Sequence, residues 1–244
     1  MSRRALTRVV ASALPAALIV ACGGNSQRAD LPPEPIGPNT LTEADRRAGW
    51  KLLFDGNSTT GWHTYQKQVV EGWSAQDGML YRTAASGDLV SDQQYDSFEL
   101  TLEWKIGEKG NSGIFWWANE GTEVIYENAP EMQVLDNIGH RDGLSPLTSA
   151  GALYGLVPSP ASLAKPLGEW NSVRIVTHGA KVETWFNGVK IANVDFDSKE
   201  LKAKIAASKF NQWPTFGKSR RGHIGLQEHD SPVWYRNIMI RELR

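Results

Sequence analysis

Ten consecutive residues, SFELTLEWKI (97–106), alternate without a break. Phe98, Leu100, Leu102, Trp104 and Ile106 fall on one side of an extended chain, with Glu99, Thr101, Glu103 and Lys105 on the other. A period of two belongs to a strand with one dry and one wet face. Three more strands are expected in NSVRIVTHGAKVETWFNGVKIANVDF (171–196), where Asn187-Gly188 signals a two-residue type I′ hairpin. GHIGLQEHDSPVWYRNIMIREL (222–243) reads as a final pair of strands around a turn near Asp230–Pro232. Helical signals are few. DSKELKAKIAASKF (197–210) reads as a surface helix, and Thr42 with Asp45 three residues on caps a short one. The expected fold is an all-β sandwich of two antiparallel sheets.

The N-terminus is separate from that sandwich. MSRRALTR is basic, and the apolar run VVASALPAALIVA after it is too short to span a bilayer. It ends at Cys22, the only cysteine. Residues 1–21 are therefore expected to be a lipoprotein signal peptide, with Cys22 acylated after cleavage; Arg3-Arg4 leaves twin-arginine export as an alternative. Residues 22–41, rich in Gly, Pro and polar side chains, read as a flexible tether, and 42–244 as the folded domain. The expected location is periplasmic or cell-surface, with the lipid anchor as the one link to the membrane. Lys+Arg 26 against Asp+Glu 27 leaves a net charge of -1, which offers nothing to draw in nucleic acid.

The polar residues of interest lie in NAPEMQVLDNIGH (128–140). Glu131 and Gln133 share a strand face, whereas Asp136 joins them only through a bulge or by lying past the strand end. Asn137 and Gly139 favour the second. In 222–229, Ile224 and Leu226 take the core side, so His223, Gly225, Gln227 and His229 share the other. Glu99 and Glu103 also face away from the core. A concave sheet lined by such groups would suit a sugar. In GIFWW, Phe115 or Trp116 is expected in the core with Trp117 free to stack on a ligand, although alternation leaves open which one points out. His63 and His178 are given no role.

GWKLLFDGNSTTGW, GNSGIFW, PEMQVLDNIGH, GALYGLV, GEWNSVRIV, WFNGVKI and the final block resemble, in order, the bacterial 3-keto-disaccharide hydrolase family over about residues 49–243. The resemblance implies a concanavalin A-like jelly roll of the lectin and glucanase type. It also implies cleavage of glycosides already oxidised to a ketone at C3, by proton abstraction at C2, elimination of the C1 aglycone and hydration. One divalent metal ion is implied by some members, and no organic cofactor. Carried over residue by residue, its blocks take in Glu131, Gln133, Asp136, Gln227, His229 and Asn111, of which Glu131, His229 and Asp136 are the expected catalytic residues. Gln133, Gln227 and Asn111 are the expected substrate-binding residues, joined by Glu103 from its outward strand face and by Trp117 from its freedom to stack, and Asp136 with His140 could supply metal ligands. WANEG (117–121) departs from the family after GIFW, so contacts there are expected to differ. Two other readings stay open. One is a non-catalytic, lectin-like carbohydrate-binding module. The other is a conventional endoglucanase, whose E-x-D-x-x-E pattern this chain replaces with Gln133 and Asp136.

Overall fold

The computed structural model describes residues 37–243. The expected signal peptide, Cys22 and residues 22–36 of the expected tether lie outside the described residues. Residues 37–41, read as the end of the tether, are part of the fold. Asn39 and Asn237 each donate a backbone N–H to the other's side-chain oxygen, at 2.6 and 2.9 Å, and Leu41 is buried. A short helix, α1 (Glu43–Arg47), follows with the expected capping box: Thr42 Oγ1 accepts from Asp45 N–H and Asp45 accepts from Thr42 N–H.

Thirteen strands follow: β1 (Lys51–Leu52), β2 (Trp62–Thr64), β3 (Trp73–Gln76), β4 (Met79–Arg82), β5 (Leu89–Tyr95), β6 (Phe98–Ile106), β7 (Asn111–Ala118), β8 (Glu131–Leu135), β9 (Asn171–His178), β10 (Lys181–Phe186), β11 (Val189–Asp195), β12 (Gly222–Leu226) and β13 (Val233–Glu242). Eight form one sheet, ordered β11-β10-β9-β6-β13-β4-β3 with β1 also against β13; five form the other, ordered β2-β5-β12-β7-β8. The paired strands run antiparallel, and the two sheets make the expected jelly-roll sandwich. The helix read in 197–210 is α2 (Lys199–Ala207), capped by Ser198. Among the described residues, no helix is long and apolar enough to cross a membrane.

The alternating face of β6 packs inward, with Phe98 and Leu100 wholly buried and Trp104 stacked on Phe186 at 5.8 Å. Each such side chain contributes about 1.5–3 kcal/mol by leaving water. The Asn187-Gly188 hairpin joins β10 to β11 with both residues at positive φ, 47° and 81°, as a type I′ turn requires.

Three expectations change here. β12 and β13 are not a hairpin, because they belong to different sheets and residues 227–232 cross the sandwich between them. Trp117 is not free to stack on a ligand. Between His223↔Ala118 and Gly225↔Phe115, β7 carries one residue more than β12, and Trp117 adopts φ 57° at this bulge. Trp116 and Trp117 therefore both turn into the core, and Trp117 Nε1 donates to Asp96 O at 2.9 Å. Glu103 faces away from the core as expected, but on the outer face of the eight-stranded sheet. Its carboxylate accepts from Arg236 Nε (2.6 Å) and Asn237 Nδ2 (2.9 Å), so it holds that face together and touches no groove on the other sheet. Glu99 does the same between Arg174 and Arg241.

Candidate active site

The candidate site lies on the outer face of the five-stranded sheet. Part of that face is closed by a small apolar cluster of Tyr65, Val90, Phe115, Ala118, Ile125 and Ala129. Gly225 is the gap that admits it: a Cβ there would come within 2.6 Å of Ile125 Cδ1. The face is thus not a uniformly wet surface. A polar row remains beside the cluster. Gln133 pairs with Gly113 across β8 and β7, and the registers of β12, continued past Leu226, set Gln227 next to Gly113 and Asp88. Gln227 N–H donates to Gly113 O at 2.9 Å, and Glu228 N–H to Asp88 Oδ1 at 2.8 Å.

Glu131 belongs to the next row but leans into this one. A Cβ on Gly113 would overlap Glu131 Oε1 and come within 2.8 Å of its Cδ, so glycine is what makes room for the carboxyl. The carboxyl group is buried, and that burial raises its pKa to about 8. The Lys209 ammonium works against the shift, while Asp88 and Asp142 add to it. Burial also lifts Asp88 to about 7, opposed by the Glu228 N–H and assisted by the Glu228 charge. Two carboxyl groups that titrate near neutrality thus flank a row of amides.

Those amides have capacity to spare. Gln133 Nε2 donates to Thr148 O at 3.2 Å, while its Oε1 is buried without a donor among the described residues; the same holds for Asn111 Oδ1. Unmatched buried acceptors are uncommon and mark places where water or a ligand hydroxyl is needed. The rim is aromatic. Tyr154 donates its N–H to Glu131 O (3.0 Å), Tyr126 meets Trp213 edge-on at 5.4 Å, and Lys209 Nζ lies 4.2 Å from the Tyr154 ring centre. His229, exposed, follows Gln227 at one end of the row with its ring 6.5 Å from that of His140.

Asp136 is not part of this group. It lies past the end of β8 and spends its oxygens on backbone amides: Lys109 (2.8 Å), Gly139 (3.0 Å) and Ile138 (3.1 Å). Partial burial raises its pKa, but those amides together with the His140 charge outweigh it and hold the carboxyl below its ordinary value. It organises a loop, with its oxygens already engaged by backbone amides. His140 Nδ1 accepts from Asp142 N–H (3.1 Å), and among the described residues no three His, Cys, Asp or Glu side chains are arranged to hold an ion. His223 shares the sheet face but is buried, its ring nitrogens engaged by Ser91 O and Gln94 Nε2. A separate cavity of about 450 Å³ lies at the end of β6, lined by Trp104, Leu135, Ile138 and Leu167 among others, and contains neither Glu131 nor Gln133.

Asp88, Tyr154, Lys209 and Trp213 were given no role in the sequence reading. Asp88 alone had a signal, since it alternates with Val90 toward the same face. The others reach the site through tertiary packing. Residues 49–241 match the model of the 3-keto-alpha-glucoside-1,2-lyase-like domain, which covers most of the chain and the whole of this groove. The chain belongs to that family. It is 34% identical to a 3-keto-disaccharide hydrolase of Bacteroides thetaiotaomicron, across 80% of this chain and 79% of that one. A crystal structure from Parabacteroides distasonis, provisionally described as a glycosyl hydrolase, superposes with a TM-score of 0.81 at 31% identity, over 85% of this chain and all (100%) of that one. A second from the same species gives 0.62 at 31% identity over 80% and 99%. Family and relatives together make the protein an enzyme of the glycoside hydrolase type.

Proposed function

We propose that the protein cleaves 3-keto-disaccharides or related 3-keto-glycosides by elimination and hydration, with Glu131 as the base at C2. A ketone at C3 acidifies the C2 proton. Glu131 takes that proton; the C2–H electron pair forms a C2=C3 bond, and the carbonyl pair moves onto O3. The enolate then collapses, the C2=C3 pair shifts to C1=C2, and the C1–O bond breaks with its electrons leaving on the aglycone oxygen. His229, at the open end of the row, supplies that oxygen with a proton. Water then adds its OH to C1 and its remaining proton goes to His229, while Glu131 returns a proton to C2, so both residues regain their starting states. Gln133 and Gln227 hold the sugar hydroxyls, because an amide both donates and accepts.

The observation that carries this reading is the buried carboxyl of Glu131, raised to about 8 by burial and seated over Gly113. A carboxylate that binds a proton this tightly is a far stronger base than an ordinary one, and removal of a proton beside a ketone needs that strength. A conventional retaining pair is disfavoured by the use of the Asp136 oxygens in the loop. Glu131→Gln tests the reading: it should lower turnover of a 3-keto-disaccharide by about 10²-fold or more and abolish exchange of the C2 proton with deuterated solvent. Undiminished exchange in the folded variant would remove Glu131 from the chemistry.

A further inference from the structure

Proton abstraction at C2 leaves a negative charge on O3, and a cation stands beside the base. Lys209 begins a short turn (Lys209–Gln212) after α2. The turn is anchored from behind: Ser208 Oγ accepts from Phe210 N–H at 3.2 Å, and Phe210 stacks on Phe216 at 3.9 Å within the core. Lys209 is therefore placed by packing rather than by its own charge. Lys202 and Lys204 of the same helix pair with Asp197 (3.6 Å) and Glu200 (3.3 Å). The Lys209 ammonium has no ion pair or hydrogen bond among the described residues, and rests over Tyr154, whose backbone bonds to Glu131. Glu131 and Asp142 are the carboxylates whose charge it feels.

We propose that Lys209 is a catalytic residue that binds the C3 carbonyl oxygen of the substrate and carries the charge developing there as the C2 proton leaves. This rests on the reaction proposed above. Before the transfer, the anion next to Lys209 is the Glu131 carboxylate. After it, Glu131 is neutral and the anion is O3. Beside Asp142, whose charge is unchanged by the transfer, the ammonium thus faces a negative group at the reacting end both before and after it, without any dipole having to turn. Electrostatic support already in place is the kind that lowers a barrier most.

The test compares wild type, Lys209→Met and Lys209→Arg on a 3-keto-disaccharide across pH, with thermal midpoints as a folding control. Lys209 is exposed, so both variants should fold. In Lys209→Met, kcat should fall about 10²–10³-fold with KM little changed, as for loss of one oxyanion-stabilising group. Its rising pH limb should also move to higher pH, because Lys209 lowers the Glu131 pKa. Lys209→Arg should recover part of kcat and return the limb toward that of wild type. If wild type cleaves the substrate but Lys209→Met keeps its kcat, or loses efficiency only through KM with the limb unmoved, the inference is wrong. If wild type leaves the keto substrate intact, the reaction itself is wrong, and the two failures are thereby distinguished.

Discussion

The carboxyl of Glu131 occupies the space that a side chain on Gly113 would fill, with Cδ 2.8 Å and Cγ 2.9 Å from where a Cβ would stand. Gly113 has no positive φ, so its backbone tolerates alanine. Gly113→Ala should therefore push the Glu131 carboxyl out of the polar row. Turnover is expected to drop at least about 10-fold, since small misplacements of a reacting group are costly. Stability should change by only about 1–2 kcal/mol, the usual cost of a crowded methyl. Kinetics and denaturant unfolding on the same preparation check both halves.

Stability should depend on pH through the same carboxyl. The folded state holds the Glu131 proton up to about 8, far above the ordinary 4.5. A group whose pKa is raised on folding contributes full stability below its unfolded value, and loses it as pH climbs through the folded one. The wild-type melting temperature should thus decline between about pH 5 and 8. Glu131→Gln, which has no proton to lose, should flatten that decline, leaving the smaller part due to Asp88. Parallel wild-type and variant curves would contradict the assignment.

Asp88 offers a second handle on the base. Its charge raises the Glu131 pKa, so Asp88→Asn should move the rising limb of kcat/KM to lower pH, opposite in direction to Lys209→Met. Rate profiles on a 3-keto substrate would show an unmoved limb if the two carboxyls were uncoupled.

Asp136 should matter to the fold and not to the chemistry. Asp136→Ala strips an acceptor from three backbone amides and is expected to cost about 1–3 kcal/mol. Below its melting transition the variant should keep wild-type turnover per folded molecule. A loss of 10²-fold or more in the folded variant would return Asp136 to the catalytic group.

Alternation made much of the sandwich legible. The inward face of β6 and the Asn187-Gly188 hairpin follow from a period of two and a turn that needs positive φ, and both are local properties. In-or-out is all that alternation conveys, however. Glu103 was correctly turned outward, yet which sheet it belonged to depended on pairing with β13. The turn near Asp230 looks the same whether its strands pair or part into two sheets. One extra residue in β7 reversed the reading of Trp117, because a bulge resets parity without leaving a mark in composition. Within the site, Glu131, Gln133 and Gln227 were legible from face-sharing and family blocks. Lys209 was not, since a charge on a surface helix acquires meaning only once Phe210 docks that turn beside Tyr154.

The most direct measurement incubates the purified protein in deuterated buffer with a 3-keto-disaccharide and, separately, with its unoxidised parent, each with and without chelator. Release of the second sugar and deuterium at C2 of the first are followed together. The expected result is cleavage of the keto substrate alone, with deuterium at C2 of the product; the chelator arm reads out whether a divalent ion takes part. Equal cleavage of the parent, or cleavage that leaves the C2 hydrogen untouched, would contradict elimination through Glu131.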